Sequence, residues 1–290
     1  MDIGRSNLAH ADVNDPQGRR PWADGTDLDG KIALITGGSG GIGQAAARAL
    51  ADHGASVAMC GIDAAEMDAA TATVAQRKGR ALGMVVDVTD EGAIRGGVER
   101  VVTTFGGIDI LVTAAGIQRY GNAAETDTDE WDRVHAVNLR GVFLAVKHAL
   151  PHLRARRPAA IVVISSVQAF VSQNAVAAYA SSKAGLNALV RSLAVDEARH
   201  GIRANAVCPG SVDTPMLRAA AYRFSDGTPA GARAVLESWA RMHPLGRIAQ
   251  AHEVAEAVVF LASERASFIS GACLPVDGGL LALAPVVLPE

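Results

Sequence analysis

Cysteine is scarce in this chain, and its distribution excludes more than its number does. Cys60, Cys208 and Cys273 are the only three among 290 residues. Each lies inside an apolar stretch, which suits buried reduced thiols and not a disulfide framework or a thiolate metal site. Histidine supplies no metal site either. His148 and His152 stand four apart, a ligand spacing on a helix, but Pro151 interrupts the turn and no Glu or Cys accompanies them, so the pair reads as a surface helix end. Positive charge is not in surplus: 27 Lys and Arg against 30 Asp and Glu leave a net charge of -3. That balance gives no electrostatic footprint for nucleic acid or an anionic membrane surface. No apolar run is long enough to span a bilayer. The amino terminus lacks a signal-peptide core, and Arg19-Arg20 run into Pro21, Trp22 and Asp24 where a twin-arginine signal needs an apolar segment. The expected location is the cytoplasm.

A linker and an internal repeat are also missing. Residues 1–27, rich in Asp, Asn, Gly, Pro and Arg without an apolar period, are expected to form a flexible arm. Residues 28–290 are expected to form one domain, and hydrophobic residues at 49% suffice for its core. Within it, short β-branched runs (Ile32 to Thr36, Ser56 to Cys60, Met84 to Val88, Ile108 to Val112, Ile161 to Ser165, Ala204 to Val207) alternate with Ala-rich segments of helical length. The runs are apolar throughout, as strands covered by helices on both faces must be. This alternation predicts an α/β fold: a single doubly wound domain on a parallel sheet.

Five glycines lie between Ile35 and Gly43, a density that would ruin a helix or strand interior at about 1 kcal/mol each. The stretch follows the first strand and opens a helix expected over Gln44 to Asp52, where free backbone N–H groups and the helix dipole favour an anion. A dinucleotide pyrophosphate fits, and Gly38, Gly40 and Gly43 match G-x-G-x-x-G. An acidic residue about twenty positions on should hold the adenosine ribose of an unphosphorylated cofactor. Asp63 lies there, although an Asp opening a helix at Ala64 is also a good cap. With no Arg or Lys at Gly61, Ile62 or in the glycine loop, the residues lean to NAD over NADP.

Tyr179 and Lys183 stand four apart at the start of a long helix expected to run to about Arg199, so they share a face. A phenol with a pKa near 10 is about one part in a thousand ionised at neutral pH, and a neighbouring ammonium favours the phenolate. Tyr179 is therefore a candidate proton donor or acceptor. Ser165 and Ser166 end a strand on the side where open α/β sheets bind ligands, and a hydroxyl there can donate to a reacting oxygen.

Together these residues resemble the short-chain dehydrogenases/reductases of the Tyr-x-x-x-Lys type over about residues 28–282. Thr36-Gly37 followed by Gly41-Ile42-Gly43, with Ser39 and Gly40 between, resembles that family's cofactor loop. Asp87-Val88 resembles its adenine-contacting pair, and Thr113-Ala114-Ala115-Gly116 its Asn-Asn-Ala-Gly segment. Pro209-Gly210, Val212 and Thr214 resemble the nicotinamide-side turn, and Val276-Asp277-Gly278-Gly279 the closing segment. The resemblance implies a Rossmann fold of about seven strands, NAD or NADP as cofactor, hydride transfer to or from a small alcohol or carbonyl substrate, and a homotetramer. It implies Tyr179 as acid/base, Lys183 lowering its pKa and binding the nicotinamide ribose, Ser166 orienting the substrate oxygen, and Asn138 holding a relay water. Two departures stand out: Thr113 and Ala114 replace paired asparagines, where a threonine hydroxyl can supply one hydrogen bond, and Gly61 stands where NAD-preferring members carry Asp.

The segment from about 211 to 246 carries Met216, Leu217, Tyr222, Phe224, Trp239 and Met242 and reads as a helical lid hinged near Ser225-Asp226-Gly227. Gln118, Arg119 and Gln168 are candidate substrate contacts, Arg119 for hydroxyls or a carboxylate. Within the resemblance, these point to a sugar, polyol or sugar-acid dehydrogenase. The alternatives are an NADPH-dependent 3-oxoacyl or ketone reductase and, from another class, a non-catalytic dinucleotide-binding regulator.

Overall fold

In the computed structural model, which describes residues 27–77 and 79–284, seven strands form one parallel sheet. They are β1 (Ile32–Thr36), β2 (Ser56–Gly61), β3 (Ala81–Val85), β4 (Ile110–Thr113), β5 (Ala159–Ile164), β6 (Ile202–Pro209) and, after a separate two-stranded ladder of β7 (Val212–Asp213) and β8 (Ala249–Gln250), β9 (Cys273–Val276). The order across the sheet is β3-β2-β1-β4-β5-β6-β9. Crossovers to opposite sides of β1 leave a topological switch between β1 and β4, the place where such sheets bind ligands.

The helices follow from the apolar faces between the strands. On one side α1 (Gly41–Asp52), α2 (Ala64–Val74) and α9 (Ala251–Ala262) bury Leu50, Met67 and Val258 against Ile35, Met59 and Val162. On the other, α3 (Glu91–Phe105), α5 (Gly141–Ala155) and α6 (Ala177–Glu197) bury Val98, Leu144 and Leu186 against Leu34, Leu111 and Val163. Central strands are buried at every position, which is why alternation never showed in their sequence. A short α4 (Thr128–His135) precedes α5, and α7 (Pro215–Arg223) and α8 (Pro229–Ala240) lie between β7 and β8.

Three details correct the reading of the sequence. The third strand is Ala81–Val85 and not Met84 to Val88, because its partner β2 ends at Gly61, opposite Val85; Asp87 and Val88 are thereby released into the loop beyond the strand. Pro151 lies inside α5 and does not end it, since Ala149 and Leu153 on either side are fully buried and that packing offsets the lost backbone bond. His148 turns to Glu91, 3.1 Å away, and among the described residues no cluster of His, Cys, Asp or Glu could hold a metal ion. The arm expected over residues 1–27 lies outside the described residues up to 26.

Candidate active site

A cleft of about 840 Å³ opens at the carboxyl ends of the strands, astride the switch between β1 and β4. One end of its wall is the glycine loop: Gly37, Ser39, Gly40, Gly41, Ile42 and Gly43 all line it, and Gly38 does not. Gly37 has φ +70° and a Cβ on it would meet Ala115 N at 2.5 Å, while a Cβ on Gly43 would overlap the Gly37 carbonyl. These close approaches, not flexibility, require glycine. The helix behind the loop has no side-chain cap and no acidic residue in its first turn. By contrast α2 and α3 are each capped by an Asp and carry a Glu in the first turn. The α1 N–H groups and dipole are thus left for an outside anion, the fit a pyrophosphate needs.

At the end of β2 the cleft is walled by Gly61 and Ile62. Asp63 is outside it: its Oδ1 accepts from Glu66 N at 2.8 Å as the cap of α2. The wall's cations, among the described residues, are Arg133 of α4 and Lys183 of α6, neither on β2. Asp87 and Val88 do line the cleft, with Asp87 Oδ1 accepting from Thr89 N and Oγ1, both at 2.8 Å.

Ala114, Ala115 and Gly116 carry the wall onward from β4. Behind them, α4 passes into α5 through a π-helical turn, Ala136–Arg140, that aims the fully buried Asn138 inward. Its Oδ1 accepts from Ile117 N at 2.8 Å and its Nδ2 donates to Ile117 O at 2.9 Å and Ser182 Oγ at 3.1 Å. Asn138 therefore clamps the backbone that follows the alanines. A Cβ on Gly116 would stand 3.5 Å from Asn138 Oδ1 and 3.7 Å from Lys183 Nζ, so glycine keeps open the space they both border. Thr113 Oγ1, in contrast, is buried without a partner; its hydroxyl does not supply the expected bond.

Tyr179, Lys183 and Ser166 meet in the same cleft. The Lys183 side chain is 4% exposed and its Nζ donates to Ile164 O at 2.9 Å, 5.6 Å from the Tyr179 ring centre. Burial pushes the ammonium down to about 8. Tyr179 goes the other way from what sequence suggests: burial pushes the phenol up to about 12, against a lowering by the adjacent Ser166 hydroxyl. Desolvation dominates, the Tyr120 phenol adds to the rise, and the ammonium of Lys183 makes no resolved contribution. Ser165 is not part of the trio; its hydroxyl donates to Lys183 O at 3.2 Å within the core. Pro209, Gly210, Val212 and Thr214 close the cleft beside the trio, Thr214 also capping α7 through Leu217 N.

The remaining wall separates the substrate candidates. Gln118 and Gln168 line the cleft, and Arg119 does not; the guanidinium pairs with Glu130 at 3.4 Å and Gln118 O at 3.0 Å. In an extended segment alternate residues face opposite ways, so the residue that joins Gln118 in the wall is Tyr120, which the same alternation could have revealed. Gln168 Oε1 is buried without a hydrogen-bond partner. Met216, Leu217, Trp239 and Met242 cover the cleft. Phe224 instead seats edge-on against Tyr120 at 4.7 Å, and Tyr222 is exposed. The corner between α7 and α8 is knit, not loose: Asp226 Oδ1 accepts from Thr228 N at 2.9 Å and Oγ1 at 2.7 Å, and Thr228 caps α8.

An uncapped helix N-terminus behind a glycine loop at the switch point, with half-buried Tyr179 beside buried Lys183 and Ser166, is the arrangement of a Rossmann-type oxidoreductase acting on CH-OH groups. The chain belongs to the short-chain dehydrogenase/reductase family. Residues 37–281 match the family model described as Enoyl-(Acyl carrier protein) reductase. The chain is 42% identical over 254 residues to cis-4-hydroxycyclohexanecarboxylate dehydrogenase of Sinomonas cyclohexanicum, covering 87% of this chain and 97% of that one. It is 36% identical to a 3-oxoacyl-(acyl-carrier-protein) reductase of Thermotoga maritima, covering 88% and 99%. The solved aldohexose dehydrogenase of Thermoplasma acidophilum superposes with a TM-score of 0.84 at 38% identity, covering 91% of this chain and 99% of that one.

Proposed function

We propose that this protein oxidises a ring or chain secondary alcohol of the sugar or polyol kind, using NAD in preference to NADP. The observation that carries the reading is the trio of Tyr179, Ser166 and Lys183 lining one cleft. The nicotinamide, when bound, takes or gives the hydride. Ser166 Oγ and Tyr179 Oη hold the substrate oxygen; Tyr179 removes the alcohol proton, or returns it when a carbonyl is reduced. Lys183 binds the ribose and, with Asn138, borders the water path opened by Gly116. The buried, unpartnered Gln168 Oε1 calls for a donor on the substrate, which a second hydroxyl supplies and an acyl chain does not. Arg119 is paired with Glu130 outside the wall, so among the described residues the cation left for the carboxylate of a sugar acid is Arg133, which lines the cleft. The kinship with an aldohexose dehydrogenase supports the reading. The α7–α8 segment serves as a lid pivoting at its roots, its corner being knit. The reading also includes a cytoplasmic location, in keeping with the buried thiols Cys60 and Cys208, which burial pushes up to about 12 and about 11.

The lean to NAD rests on charge. Beyond Gly61 and Ile62 stand the carboxylates of Asp63 and Glu66, the latter 3.4 Å from Ser39 Oγ, and a 2'-phosphate there would face repulsion without a cation. Side-by-side fluorescence titration is expected to give NADH at least about tenfold tighter binding than NADPH. The same titration on Asp63→Asn, which retains the cap, is expected to leave NADH affinity within about twofold. A tighter NADPH complex refutes the preference, and a large loss in the variant makes Asp63 the ribose partner after all. A homotetramer built through α5, α6 and β9 completes the reading, and light scattering is expected to give four times the 29.9 kDa of one chain; a monomer refutes it.

A further inference from the structure

The turn that follows β6 is held in place by a histidine from the far root of the segment covering the cleft. Two of the turn's backbone groups have ordinary partners: Gly210 N donates to Val276 O at 3.0 Å and Ser211 O accepts from Ala249 N at 3.0 Å. Ser211 N instead donates to a side chain, His243 Nε2, at 3.1 Å. His243 is 3% exposed, and its other ring nitrogen, Nδ1, lies 2.9 Å from Trp239 O. A carbonyl can only accept and a backbone N–H can only donate, so one tautomer satisfies both contacts: Nδ1 carries the proton and Nε2 is bare. The ring also sits directly under the turn, since a Cβ on Gly210 would meet Nε2 at 2.7 Å. Ser211 and Trp239 both line the cleft. The covering segment begins at Thr214, the cap of α7, and ends just past α8. His243 therefore joins its two roots, donating to α8 on one side and accepting from the turn on the other.

We propose that His243 is a positioning residue whose bare Nε2 fixes the Gly210–Ser211 turn against which the nicotinamide lies, and whose Nδ1–H ties the covering helices to that turn. The proposal rests on the reading of the cleft as a nicotinamide dinucleotide site. Two conservative substitutions divide the ring's contacts. Asparagine keeps an amide donor near the δ position for Trp239 O and offers nothing at ε, whereas glutamine reaches the ε position with an acceptor for Ser211 N. His243→Asn is expected to raise KM and Kd for the cofactor about tenfold, with a smaller change in kcat, while His243→Gln stays within about threefold of wild type. Thermal melts of both variants accompany the kinetics. Wild-type constants in both, or equal losses in both that track their melting temperatures, would reduce His243 to core packing and overturn the proposal. A readout on the wild-type protein guards against a variant that fails to fold: long-range proton–nitrogen NMR is expected to find His243 protonated at Nδ1, and the opposite tautomer refutes the arrangement. Wild-type protein that binds neither NADH nor NADPH would sink the reading of the cleft itself, a distinct result from either outcome above.

Discussion

Replacing Tyr179 with phenylalanine is expected to lower kcat by about a thousandfold or more while leaving the dissociation constant for NADH within about threefold. The ring stays, so the wall of the cleft and its packing stay; what goes is the proton at Oη. General acid–base groups contribute about 10²- to 10⁴-fold, and this one stands beside Ser166, the other phenol of the cleft wall among the described residues being Tyr120. Steady-state kinetics with any turned-over alcohol, together with a cofactor titration, checks both halves. A Phe variant that still turns over would remove Tyr179 from the chemistry. The direction of its pKa adds a second expectation. With burial holding the phenol up to about 12, the acid form needed for carbonyl reduction predominates throughout the neutral range, and the base form needed for oxidation is the minor one. Wild-type kcat/KM for alcohol oxidation is therefore expected to climb as pH rises from 6 towards 8, the range in which Lys183 keeps its charge, because each step upward increases the phenolate, and the Phe variant should lose that climb.

Residues whose work depends on their own backbone were legible in the sequence. The glycines from Gly37 to Gly43 are demanded by a loop closing on itself, and Tyr179 and Lys183 share a face because four residues make about a turn of helix. The layered α/β architecture was legible for the same reason: apolar runs and helical segments alternate along the chain. What stayed hidden depends on partners distant in sequence. The end of β3 is fixed by the end of β2 and not by its own composition. Asp63 has the spacing of a ribose ligand, yet its Oδ1 accepts from a backbone N–H three residues on and the residue stands outside the cleft wall. Arg119 has the charge for a substrate contact, yet the period of an extended segment turns it to Glu130 and puts Tyr120 in the cleft instead. His243 gave no local signal at all, since its two partners, Ser211 and Trp239, come together only once the covering segment has folded back.

Lys183 shows how the same burial sets stability against function. Its ammonium is lowered from 10.5 to about 8 by desolvation, so between those values the unfolded chain binds more protons than the folded one. By linkage, stability then rises with pH across that window, and below pH 8 the fold carries the full cost of the buried charge, about 3 kcal/mol. Methionine matches the stem without the charge. At pH 7 Lys183→Met should recover that cost less the lost hydrogen bond to Ile164 O, about 1 to 2 kcal/mol with the carbonyl left unpaired. A net gain of about 1 to 2 kcal/mol corresponds to a melting temperature higher by a few degrees in a chain of this size. Near pH 9.5, where the folded wild-type lysine is already neutral, the two proteins should melt together. Turnover is expected to fall by about a hundredfold or more, because the variant loses both the proposed ribose donor and the cation beside Tyr179. Thermal melts at the two pH values and kcat at pH 7 measure the whole argument. A variant less stable than wild type at pH 7 would mean that the contact to Ile164 outweighs the desolvation of the charge. One that kept its turnover would mean that Tyr179 works without its lysine. The expected combination, a sturdier protein without activity, is what a fold produces when it holds a charge out of water for the sake of its chemistry.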